Sequence, residues 1–113
     1  MHELSIVTSI VDTIESYMKE NSLTECEEIV LQIGELSDVI PEYLQACYPI
    51  AVEGTIMENT ALKIEKITAL AKCKNCGEEY RYIENKGACP KCKSIKREIT
   101  QGKEFFIKQI TAR

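Results

Sequence analysis

At 113 residues the chain has room for one modest core, and its formal net charge of −4 is divided unevenly. From Lys72 to Arg97 there are eight Lys/Arg against three Glu, a balance of +5, and the rest carries six against fifteen, or −9. No run of about eighteen apolar residues occurs, so no membrane span is expected and the chain reads as soluble and cytoplasmic. No internal repeat or low-complexity segment interrupts it.

Leu4, Ile6, Val7, Ile10, Val11, Ile14, Tyr17 and Met18 recur at three- and four-residue intervals with polar residues between them, which predicts an amphipathic helix over about Leu4 to Glu20, stopping at Asn21-Ser22. Cys26 to Ile33 is a short, dense apolar run and reads as a strand ending at Gly34. A second helix is expected from about Pro41 to Val52, ending at Gly54, with Ser37 or Asp38 able to cap it and Pro41 in its first turn. Leu44, Cys47, Tyr48, Ala51 and Val52 would form its buried side. Pro49 argues for a kink near Gln45 or for a shorter helix.

Ala61 to Ile67 alternates apolar and charged residues, the pattern of a half-buried strand, and Lys103 to Ile110 reads as a strand returning to the body. The cysteine-rich region between them is therefore an insertion rather than a tail. The expected boundaries are residues 1–70 plus 99–113 for the body and 71–98 for the insertion.

That insertion contains Cys73-Lys-Asn-Cys76 and Cys89-Pro-Lys-Cys92, twelve residues apart. Two Cys-x-x-Cys pairs at this separation match a four-thiolate zinc site, because each pair sits on a tight knuckle that aims both sulfurs at one tetrahedral centre. Gly77 and Gly87 flank the inner cysteines, where the chain must turn sharply. Four thiolates leave no open coordination position, so zinc here would be structural. Disulfides would need an oxidising compartment, and no apolar leader suggests secretion. Thioredoxin-type redox chemistry needs one such pair beside a βαβ unit, which is lacking. The basic residues of the insertion either solvate a module with little apolar surface or meet an acidic partner.

His2 is the only histidine. The free α-amine of Met1, the backbone amide of His2 and its imidazole can close a five- and a six-membered chelate ring in one plane, and Glu3 can add a carboxylate oxygen. Such N,N,N,O ligation suits Ni(II) or Cu(II) rather than tetrahedral zinc. A dication bound by one deprotonated amide and one carboxylate is neutral, so the positive end of the first helix does not repel it. Met1 is expected to survive processing, because its removal generally requires a small second residue. On spacing alone, an exposed histidine without a role is the competing reading. Cys26 and Cys47 read as buried small hydrophobes. No triad or carboxylate pair can be assembled, so the chain is not expected to be an enzyme.

Met1-His2-Glu3-Leu4-Ser5, Ile33-Gly34-Glu35-Leu36-Ser37 followed by Val39-Ile40-Pro41-Glu42, Glu53-Gly54-Thr55, Leu62-Lys63-Ile64-Glu65, the cysteine quartet and Gly102-Lys103-Glu104 together resemble the HypA/HybF family of nickel chaperones of [NiFe]-hydrogenase maturation. The resemblance implies a small α/β (α+β) domain, two helices on a three-stranded mixed sheet, with an inserted four-cysteine zinc-binding domain of zinc-ribbon type. It implies nickel ligation by Met1, His2 and Glu3, and structural zinc on Cys73, Cys76, Cys89 and Cys92. The implied partners are the nickel GTPase HypB, the hydrogenase large subunit and, for some members, urease accessory proteins, with monomer and homodimer both open. Two departures stand out: Pro49 breaks a stretch that is usually uninterrupted helix, and Gln45-Ala46-Cys47-Tyr48 lacks the phenylalanines common there. The rival reading is a zinc-ribbon nucleic-acid or protein interaction module, with Tyr80 and Tyr82 as its stacking residues.

Overall fold

The computed structural model describes residues 3–113, which form two helices and six strands in the order α1 (Glu3–Glu20), β1 (Cys26–Gly34), α2 (Pro41–Val52), β2 (Ala61–Ile67), β3 (Leu70–Cys73), β4 (Glu79–Arg81), β5 (Arg97–Gln101) and β6 (Phe105–Ala112). They make two three-stranded sheets, ordered β2-β1-β6 and β4-β3-β5. The chain divides into two compact units, one of Met1–Gln32, Asp38–Glu65 and Phe106–Arg113, the other of Ile33–Ser37 and Lys66–Phe105. Among the described residues no helix is long and apolar enough to cross a membrane.

In the first unit, α1 buries Val7, Ile10, Val11, Ile14 and Met18, one stripe at helical spacing. Leu4 and Tyr17, expected on that face, are exposed, because their positions fall on its two flanks. The helix ends where the sequence suggested: Ser22 is left-handed (φ 56°) and the Leu23 N–H reaches back to the Met18 carbonyl (2.8 Å), satisfying an end carbonyl with serine in place of the usual glycine.

α2 corrects three expectations. It is not shortened by Pro49, which lies inside a helix that runs to Val52. Pro49 forfeits one backbone bond, a cost of about 3 kcal/mol, but Leu44, Tyr48 and Val52 lie one turn apart and are all buried. Each contributes about 1.5–3 kcal/mol, so burial outweighs the proline. The Tyr48 hydroxyl also donates to the Thr60 carbonyl (2.9 Å), and the Thr60 hydroxyl donates to the Cys26 carbonyl (2.7 Å), so the buried polar groups are paired. Neither Ser37 nor Asp38 caps this helix: the N-cap is Ile40, without a side-chain cap, and Pro41 opens the first turn where its missing N–H costs nothing. Cys47 and Ala51 are half-buried, since the inward stripe is narrower than the five residues expected.

The first sheet is mixed. Thr60, Lys63 and Glu65 contact Cys26, Glu28 and Gln32 in rising order, so β2 runs parallel to β1. Glu25 and Arg113 exchange backbone bonds of 2.9 and 2.8 Å, so β6 is antiparallel to β1. β6 begins at Phe105 and extends to Ala112, beyond the Ile110 expected, held at its end by Arg113, whose guanidinium pairs with both Glu25 and Glu27 (each 2.8 Å).

In the second unit, Leu36 N–H donates to the Gly102 carbonyl (2.7 Å), Glu35 N–H to Ile67 (2.9 Å) and Gly34 N–H to Glu104 (2.7 Å). The Glu35 carboxylate takes the Ala69 N–H (2.6 Å), and Gln101 Nε2 reaches the Thr68 carbonyl (2.8 Å). A Cβ on Gly34 would collide with the Gly102 carbonyl, and one on Gly102 with Ala69. Gly34→Ala should therefore lower stability in urea denaturation by about 3 kcal/mol or more, because backbone on both sides leaves no route to relax. A loss near zero would mean that the segments are not in this contact.

Candidate metal centre

β3 pairs with both β4 and β5; Cys73 ends β3, and Cys76, Cys89 and Cys92 lie in the connections between these strands. Antiparallel pairing sets Ala71 opposite both Tyr80 and Ile99, and Cys73 opposite Arg97. The core here is small: Ala71, Cys73, Tyr80 and Cys89 are buried, with Tyr82, Cys92 and Ile99 packed against them. These strands β3 to β5 were not read from the sequence. They are three to five residues long and mix charged with apolar residues, so neither period nor apolar content marks them.

The two knuckles are built alike. Gly77 N–H returns to the Cys73 carbonyl and Lys93 N–H to the Cys89 carbonyl, each at 2.9 Å. Cys73 Sγ accepts the amides of Asn75 (3.4 Å) and Cys76 (3.5 Å). The residue after the second cysteine of each pair is left-handed, φ 81° at Gly77 and 67° at Lys93. Gly87 also turns the chain as expected, left-handed at φ 80° with its N–H on the Tyr82 carbonyl (2.9 Å), while Lys93 is the turning residue of the second knuckle itself.

The structure brings all four sulfurs within 4.8 Å of one another, with Cys73 to Cys92 at 3.5 Å and Cys76 to Cys89 at 3.6 Å. Zinc–sulfur bonds of about 2.3 Å in a tetrahedron require sulfurs about 3.8 Å apart. The donor set and its spacing both fit zinc, and none of the six cysteines is in a disulfide. Without a cation the thiols compete for protons. The Asn75 side-chain amide and then the Ser94 backbone N–H favour the Cys92 thiolate and hold its pKa down to about 6. At Cys76 the Glu78 backbone N–H also favours thiolate, but desolvation and the sulfurs of Cys89, Cys92 and Cys73 outweigh it, pushing the pKa up to about 12. A central dication removes that conflict by deprotonating every thiol. The role of Asn75 was not read from the sequence, where it is one of two spacer residues.

Of the terminal residues, Met1 and His2 lie outside the described residues. Glu3 opens α1, and its Oε2 accepts the Ile40 N–H at 3.4 Å. Cys26 is buried as expected, while Cys47 is half-buried. Burial pushes the Cys26 thiol up, against the Thr60 hydroxyl and Glu28 backbone that favour its charged form. The nucleic-acid reading is not favoured. Tyr80 is 5% exposed, and the Tyr82 ring is covered by Arg97 (4.7 Å to the ring centre), which also donates to its hydroxyl at 2.7 Å.

Two variants test the knuckle geometry. Lys93→Gly should raise the stability of the zinc-loaded protein by about 1 kcal/mol, because glycine carries no left-handed penalty. Gly77→Ala, whose Cβ would meet nothing within 4 Å, should lower it by about 1–2 kcal/mol. Chelation should abolish amide protection in β3, β4 and β5 while α1 and α2 keep theirs, as read by hydrogen exchange. Protection that survives chelation would show that the module folds without metal.

The sequence family described as hydrogenase/urease nickel incorporation, metallochaperone, hypA matches residues 1–112. The hydrogenase maturation factor HypA of Chlorobium limicola is 37% identical over 111 residues, covering 98% of this chain and 96% of its own. That of Aquifex aeolicus is 36% identical over 110 residues, with 97% and 96% covered. The solution structure of the Ni metallochaperone HypA from Helicobacter pylori superposes with a TM-score of 0.66 at 27% identity, over 99% of this chain and 97% of that one. A match running from the first residue through the cysteine quartet, joined to a mixed sheet with two helices and four convergent sulfurs, leads to one conclusion: the chain belongs to the HypA family of nickel metallochaperones for hydrogenase maturation.

Proposed function

We propose that the chain carries Ni(II) on the Met1 amine, the His2 amide and imidazole, and the Glu3 carboxylate, while Cys73, Cys76, Cys89 and Cys92 hold a structural zinc. On this reading residues 1–70 and 99–113 are the nickel-binding part and 71–98 the zinc-binding part. It works in the cytoplasm with the nickel GTPase HypB, delivers to the large subunit of [NiFe]-hydrogenase, and catalyses no bond-making step. The observation that carries the reading is family membership over residues 1–112, a span that includes the Met-His-Glu terminus.

Glu3 supports it physically. With Oε2 on the Ile40 amide, Oε1 is the oxygen for a cation, and an amide on the other oxygen fixes the orientation of the carboxylate. A site made of chain-terminal atoms can be opened by a partner without disturbing Val7, Val11 or Ile14 in the core. That suits cargo, which must be released, whereas four enclosing thiolates suit a resident ion.

The test is a nickel titration by calorimetry on untagged, zinc-loaded protein, beside His2→Ala and a form extended by one glycine before Met1. One-to-one binding that both changes abolish is the expected result. Equal binding by all three would remove the terminal chelate as the site.

A further inference from the structure

Residues 94–96 are stapled to both knuckles. The Ser94 carbonyl accepts the Cys89 N–H and the Lys96 carbonyl accepts the Lys74 N–H, each at 2.9 Å. Between those two bonds stands Ile95, 71% exposed, the most exposed of the large apolar side chains among the described residues. Lys74 and Lys91 are spacer residues of the knuckles, Lys93 and Lys96 flank the Ile95 segment, and all four are exposed. None forms an ion pair among the described residues.

Three carboxylates of this unit have partners of their own, and two more stand opposite a lysine outside the knuckles. Glu79 and Glu98 face Lys72 across the strands, Glu84 pairs with Arg81 (3.6 Å), and Glu35 and Glu104 take the Ala69 and Gly102 amides. A zinc tetrathiolate carries about −2, which four lysines exceed, and Glu78 next to the first knuckle does not cancel the remainder. A face that merely solvates the module also has no use for an isoleucine at its centre. Isolated exposed apolar residues are ordinary, but one set among cations without carboxylate partners, Lys93 alone reaching the Pro90 carbonyl (3.4 Å), on a backbone held at both ends is a preformed anchor with a charged rim.

We propose that Ile95 and the knuckle lysines Lys74, Lys91, Lys93 and Lys96 form a docking surface for an acidic protein segment that carries a large apolar side chain. The lysines steer and orient the segment, and Ile95 supplies the desolvated contact. Nucleic acid fits this face less well, because Tyr80 is buried and the Tyr82 ring is covered by Arg97, leaving no aromatic platform for bases. The proposal does not depend on the nickel reading.

The experiment uses the full-length, zinc-loaded, isotopically labelled chain and three probes: a peptide alternating glutamate pairs with leucine, the same peptide with serine for leucine, and a thymidine oligonucleotide of equal charge. The leucine peptide should shift the amide resonances of residues 74 and 91–96 in particular. Both Ile95→Ser and the triple change Lys74→Glu, Lys91→Glu, Lys96→Glu should weaken it by about tenfold or more while zinc content stays unchanged. Lys93 is left in place because of its left-handed backbone. No shift at these residues, equal binding of the serine peptide, or tighter binding of the oligonucleotide would each overturn the proposal. So would lysine variants that lose zinc yet still bind the peptide, which would assign the lysines to the metal instead.

Discussion

Four sulfurs held within 4.8 Å of one another are the constraint on which the second unit depends. Three of the seven side chains packed together around β3, β4 and β5, namely Cys73, Cys89 and Cys92, are also candidate metal ligands, so this small core and the metal site cannot be separated. An interior built on Ala71, Tyr80, Tyr82 and Ile99 alone buries too little apolar surface to order a module of this size. Four thiols packed this closely favour one another's protonated form, and a cation at their centre would favour the thiolates instead. Metal binding and the ordering of β3 to β5 should therefore be coupled.

The same unit includes a segment far away in sequence. Ile33–Ser37 belongs with Lys66–Phe105 because the backbone amides of Gly34, Glu35 and Leu36 are spent on the strands entering and leaving the zinc module. Only glycine permits the approach at Gly34 and Gly102, where any side chain would strike a carbonyl or the Ala69 backbone. Three residues after this segment comes Ile40, whose amide holds the Glu3 carboxylate.

The first unit works by ordinary burial, with one polar chain inside it. Tyr48, Thr60 and Cys26 link α2, the approach to β2 and the start of β1 through two hydrogen bonds. The depth of this network pushes the Tyr48 hydroxyl up to about 12, chiefly through desolvation, so it remains a donor at physiological pH. Together with Leu44 and Val52 it explains why a proline inside α2 is tolerated.

How much of this was legible follows from the physics of each element. α1, β1 and β2 were marked by period and run length, and the cysteine spacing alone named the zinc ligands, because chelate geometry is local in sequence. The span of α2 was legible from Pro41 and Gly54, but its continuity through Pro49 was not, since that depends on what Leu44, Tyr48 and Val52 are buried against. The short strands β3 to β5 carry no pattern of their own and form because Ala71 and Cys73 find partners up to about thirty residues away. Lys93 gave no sign of its left-handed turn, which the second knuckle imposes on whatever residue stands there. The sequence by itself determined the metal chemistry, because donors and chelate rings are covalent facts. Only tertiary structure decided that the Asn75 side chain meets Cys92 of the other knuckle and that the Ile40 amide meets the Glu3 carboxylate, because that depends on how distant backbones are bonded together.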